Sequence, residues 1–162
     1  MNDNIKDNEN NVLQNEFSSK ENLRNSISRN SISRYKMREQ AFVLCFETLF
    51  SDTDIDEIAD NTLDSREIEL SDYALNTAKG ISKNSQKIDD LISSHLKKGW
   101  KINRISKVSL AVLRLAIYEM LFVDEIPVSV SINEAVELTK KYSTEDDCAF
   151  VNGVLGAVSK EI

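Results

Sequence analysis

The chain is poor in residues that punctuate or catalyse. It has four glycines and one proline, too few turn-formers for the many tight turns of a sandwich or barrel. It has a single histidine, His95. A lone His without other His or Cys at ligand spacing reads as structural or exposed, so no metal site is expected. Two cysteines, Cys45 and Cys148, stand in apolar helical settings, which predicts buried free thiols. No charged start followed by an apolar run marks a leader, and the expected location is cytoplasmic. No Gly-rich cofactor loop and no nucleophile in context are found, so no catalytic residue and no cofactor is assigned. Helices joined by short polar connections remain, in one domain of 162 residues with room for a tail.

The net charge is −7, and that global value does not suggest nucleic acid. Its distribution is uneven. Between positions 20 and 38 lie Lys20, Arg24, Arg29, Arg34, Lys36 and Arg38 against one acid, Glu21. Screening confines fields to about 10 Å, so a short basic patch binds phosphates even on an acidic molecule.

The centre of the pattern is 107–124, KVSLAVLRLAIYEMLFVD. Its apolar residues cover most of the helical wheel, as in a helix packed on several sides. Lys107, Arg114 and Glu119 interrupt it, and it is too short and charged to span a bilayer. Lys107, Arg114 and Tyr118 form one narrow polar strip. Arg114 is expected to pair with an acid inside the fold, with Glu134 or Glu137 within reach.

Around this hub, residues 1–33 are rich in Asn and Ser and read as a disordered tail. A first helix covers 34–50, with Phe42, Phe46 and Leu49 on one face and basic residues in its first turn. A helix dipole disfavours cations there. They are either tolerated because exposed, or presented to an anionic polymer. An acidic stretch, 51–69, allows a short helix and fails the calcium-loop pattern. Ser71 caps a long helix expected over 72–98, with Gly80 loosening its middle and a stop at Gly99. Trp100 either plugs the end of the core or stacks on a base. Ser131 and Glu134 form a capping box for a further helix, and Thr144 and Asp147 form a second start. Gly153 and Gly156 are expected to permit close approach of a neighbouring helix, with Asn152 bonding backbone at that crossing.

Three segments in order, AVLRLAIYEM, IPVSVSINEAVELTKKYS and FVNGVLGAV, resemble the NusB family of transcription antitermination factors. The resemblance covers about 34–162, strongly over the last third and weakly between 51 and 100. It implies an all-α fold of about seven helices in two packed bundles, and a small adaptor that is not an enzyme. It implies binding of boxA-type leader RNA of ribosomal RNA operons together with NusE, a small-subunit ribosomal protein, within a complex of other Nus factors on RNA polymerase. No membrane partner is implied, and homodimers occur in the family. On the residues, Arg34, Lys36 and Arg38 occupy the family's basic RNA-binding motif. Phe46 and Phe50 match its NusE-facing positions, although both also suit a core. Asp147 matches a contact position near the RNA edge, which a helix start explains equally well. A further family contact position aligns with Ser109. Two alternatives stand beside this reading: a protein-interaction adaptor without RNA binding, and an RNA-binding domain of a ribosomal RNA cytosine methyltransferase.

Overall fold

The apolar stripes find one another as the patterning requires. The computed structural model describes residues 34–66 and 70–162, so the expected tail at 1–33 lies outside the described residues. Met37–Ile162 form one compact unit. The residues up to Lys36 belong to another, of which 34–36 are described and are helical. Every regular element among the described residues is helical. They are α1 (34–47), α2 (Ile55–Arg66), α3 (Asp72–Lys83), α4 (Ser85–Ser94), a 3-10 turn (Ile102–Arg104), α5 (Lys107–Phe122), α6 (Val128–Tyr142) and α7 (Glu145–Val158).

Helix α5 is the hub. It touches α3, α4, α6 and α7, while α5, α6 and α7 also touch pairwise. Helices α2, α3 and α4 form the second group, each in contact with the next. Ala111, Val112, Leu113, Leu115, Ala116 and Ile117 are all buried in α5. Leu44 and Phe42 of α1, Ile88 and Ile92 of α4, Leu138 of α6 and Val151 and Leu155 of α7 join the same core. Each such side chain contributes about 1.5–3 kcal/mol on leaving water. Helix α1 stops where Thr48 bonds its Oγ1 to the Cys45 carbonyl at 2.6 Å. The last turn then tightens into three-residue spacing through Leu49 N–H to Phe46 O and Phe50 N–H to Glu47 O.

Several local expectations are corrected. The long helix breaks into two at Asn84 (φ −108°, ψ 15°). The Asn84 side chain donates to the Gly80 carbonyl at 2.7 Å, competing with the helix ladder. Gly80 does not loosen α3: a Cβ there would meet Tyr118 Oη at 2.2 Å, so the missing side chain admits that ring. Ser71 does cap α3, accepting from Ala74 N–H at 3.2 Å. Helix α6 starts at Val128, after Pro127, which places Ser131 inside it rather than at its cap. Proline suits that position because it has no N–H to leave unsatisfied. A Cβ at Gly153 or Gly156 would meet no neighbour within 4 Å, and Asn152 is exposed, so no tight crossing forms there. Trp100 is no plug: half of its surface is exposed.

Candidate nucleic-acid and partner interface

Of the three basic residues expected at the start of α1, Arg34 and Lys36 are exposed. Arg38 is not. It is 7% exposed, and its Nε donates to Glu119 Oε1 at 2.8 Å. Its Nη1 lies 3.3 Å from Glu134 Oε2. Glu119 is itself 1% exposed and also accepts from Tyr73 Oη and, at 2.9 Å, from Ser131 Oγ. One carboxylate on α5 therefore gathers donors from α1, α3 and α6. Burial alone would lower the Arg38 pKa, but the bond to Glu119 and the charge of Glu119 hold it above its ordinary value. Burial, then the charge of Glu119, push the Tyr73 phenol well up. A phosphate would have to break this network to reach Arg38, so Arg38 leaves the phosphate-binding set and becomes a tie between helices. The spacing holds a signal for this. Arg38 stands three, four and seven residues before Ala41, Phe42 and Cys45, on the buried stripe.

The same network corrects the partner expected for Arg114. Arg114 does pair inside the fold, but with Asp89 of α4, through Nε at 2.8 Å and Nη2 at 2.7 Å. Glu134 serves Arg38, and Glu137 bonds Lys140 at 2.8 Å on the surface.

Three phenylalanines climb the second half of α1 and the turn that follows it. Ring centroids are 5.9 Å apart for Phe42 and Phe46 and 4.9 Å for Phe46 and Phe50. Burial falls along the ladder. Phe42 is in the core, Phe46 packs half-buried against it, and Phe50 is 62% exposed. Lys107, the first residue of α5, donates to the Leu49 carbonyl at 2.9 Å, and its Nζ lies 4.9 Å from the Phe50 ring centre. A cation over a half-wet ring holds the ring in place by about 0.5–1 kcal/mol.

Asp147 lies in the first turn of α7 and is half-buried. Thr144 is the cap, accepting from Asp147 N–H at 3.3 Å. The Asp147 carboxylate accepts from Ser143 Oγ and, at 3.3 Å, from Ser106 Oγ. Ser106 and Lys107 are neighbours in sequence, so this corner links the start of α7 to the exposed end of α1. Ser109 is buried and presents no surface. Burial pushes the Cys45 thiol up to about 12, which leaves it protonated and inert. Cys148 is half-buried and also free. Among the described residues no group of His, Cys, Asp and Glu is placed to hold a metal ion. No helix there is long and apolar enough to cross a membrane.

The family model for the NusB family matches residues 35–160. The transcription antitermination protein NusB of Acetivibrio thermocellus is 46% identical over 131 residues, covering 80% of this chain and 90% of its own. That of Clostridium botulinum strain Loch Maree is 43% identical over 139 residues, covering 77% and 98%. Among solved structures, NusB of T. maritima superposes with a TM-score of 0.70 at 41% identity, over 79% of this chain and 91% of its own. A complex of antitermination factors NusB and NusE with double-stranded RNA gives 0.71 at 28% identity, over 80% and 98%. With the family model matched over residues 35–160 and these relatives matched over nearly their whole length, the chain belongs to the NusB family.

Proposed function

We propose that this protein is a transcription antitermination factor. It binds boxA-type leader RNA of ribosomal RNA operons together with a NusE-type ribosomal protein, in an antitermination complex with other Nus factors on RNA polymerase. The observation that supports this most is the likeness to a NusB found with NusE and RNA, at 28% identity and a TM-score of 0.71. Arg34 and Lys36, both exposed, supply phosphate contacts, which give affinity more than base choice. Phe50, held by Lys107, is the side chain at the end of α1 with enough free area to anchor a protein partner. Phe46 contributes as the floor beneath it, and Asp147 sets the adjoining corner through Ser106.

Titration of the purified chain with labelled single-stranded leader RNA, with and without the NusE-type protein, tests this reading. Binding is expected to tighten when the partner is added. The double variant Arg34→Ala/Lys36→Ala is expected to flatten the salt dependence by roughly 1.4 in log–log slope, about 0.7 per lost phosphate contact on a single strand. Phe50→Ala is expected to remove the tightening while leaving binding to RNA alone intact. RNA that does not bind in either condition refutes the function and leaves a helical adaptor for proteins.

A further inference from the structure

The connection between α4 and α5 is unlike the rest of this acidic chain. From Leu91 to Tyr118 the sequence contains no Asp or Glu, although the protein carries a net charge of −7. Within it Lys97, Lys98, Lys101 and Arg104 are all exposed, and none of the four is ion-paired among the described residues. Trp100 lies in their midst with half of its surface in solvent. Its ring centre is 6.2 Å from that of Phe150 on α7, with the planes inclined at 32°.

This segment is built, not loose. Gly99 takes φ +86°, a left-handed conformation that turns the chain sharply after α4. Trp100 N–H bonds to the Lys97 carbonyl at 2.9 Å, and Arg104 N–H to the Lys101 carbonyl at 2.9 Å. Ile105 anchors the far end in the core, and Ser106 caps α5 by accepting from Ser109 N–H at 3.2 Å. An aromatic ring of this size left half-wet on an ordered turn is unusual unless something covers it.

We propose that this turn is an RNA-binding element in its own right, and that its ligand is an unpaired stretch of RNA. Trp100 offers a face for one base, backed by Phe150. Lys97, Lys98, Lys101 and Arg104 take the phosphates on either side. The charge decides between occupants. Lysine is depleted at protein interfaces, whereas unpaired cations around an exposed aromatic are what a single-stranded polyanion requires. A duplex has its bases already stacked on one another and gains nothing from the ring. Asp146 is exposed one turn before Phe150, so phosphates are repelled from α7 and the RNA backbone follows the lysine side. The proposal rests on the RNA-binding reading above and assigns it a base-stacking position.

Trp100 is the only tryptophan, so its emission reports directly on the site. The full chain is titrated with a single-stranded boxA-type RNA of about 12 nucleotides and with the same RNA annealed to its complement, with the NusE-type partner present. Anisotropy of the labelled RNA and tryptophan emission are read together. The expected result is quenching that saturates with the anisotropy curve for the single strand only. Trp100→Ala is expected to weaken binding about 5- to 150-fold, the equivalent of ~1–3 kcal/mol for one base–aromatic stack, and Trp100→Phe to retain most of it. Lys97→Ala/Lys98→Ala/Lys101→Ala is expected to lower the salt slope by roughly 2. Because the ring is half-exposed, circular dichroism should show all three variants folded. If Trp100→Ala does not fold, the Phe and lysine variants decide the matter. Binding of wild type with unchanged emission, and within about twofold for the variants, overturns this site while leaving the general function standing. Absence of RNA binding by wild type overturns both.

Discussion

The buried carboxylate of Glu119 is the most sensitive point of the fold. Removing its cationic partner by Arg38→Ala leaves the carboxylate in the core with Tyr73 and Ser131 as donors but no compensating charge. Breaking one side of a buried pair costs about 3–5 kcal/mol. Glu134, 3.3 Å from Arg38, loses its contact as well. For a domain of this size each kcal/mol is worth roughly 2–6 °C, so Tm is expected to fall by about 6–30 °C. The test is a double-mutant cycle by urea or thermal denaturation on Arg38→Met, Glu119→Leu and the combination. The pair of apolar residues should recover at least about 2 kcal/mol of the summed single losses, because neither charge is then stranded. Part of the loss persists, since the hydroxyls of Tyr73 and Ser131 lose their acceptor. A loss below about 1 kcal/mol for Arg38→Ala, or a coupling below about 0.5 kcal/mol, would refute the view that this network ties α1 to α3, α5 and α6. Such a result would also return Arg38 to the residues available for phosphate.

Two further outcomes follow from the packing. Tyr73 ionises well above the ordinary value of 10.0, so the folded state keeps a proton that the unfolded chain releases. Its contribution is complete below pH 10 and is lost as pH rises through the folded value; Tyr73→Phe should flatten that alkaline decline in stability, read by denaturation between about pH 9 and 11. Gly80→Ala should destabilise in spite of the helix propensity gained, about 1 kcal/mol, because the added methyl displaces the Tyr118 ring, and overpacking costs about 1–3 kcal/mol. In a Tyr118→Leu background the same change should become stabilising, and a chemical melt that shows no reversal removes the steric explanation.

Where sequence reasoning worked, the signal was periodic or compositional. The apolar wheel of 107–124 marked α5 because a helix buried on many sides has no other way to be written. Ser71 and Thr144 were found as caps because their oxygens must meet a backbone N–H two or three residues on. The spacing of the first helix placed Phe42, Phe46 and Leu49 on one face, and the family resemblance added Phe50 beyond them. The spacing could not say which of them is wet, since exposure depends on how far the other helices extend beneath that edge.

The misses share one cause. Ser131 and Glu134 form a capping box in one dimension, yet Pro127 starts α6 earlier and both residues face charged partners from other helices. Gly153 was assigned to a close crossing that does not exist, and Gly80 was passed over at one that does. Arg38 and Trp100 changed places. The arginine in a basic cluster went inside, and the aromatic beside a helix stop stayed outside.

The sequence by itself determined an all-helical fold, the central helix and the family, because these depend on local periodicity and on ordered motifs. Only the tertiary structure decided which charges are spent inside the fold and which remain for a ligand. That division depends on desolvation. A cation within 3 Å of a buried carboxylate is neutralised, whereas one on an acid-free turn is not. Residues distant in sequence, such as Arg38 and Glu119 or Trp100 and Phe150, make the difference only once the helices are packed.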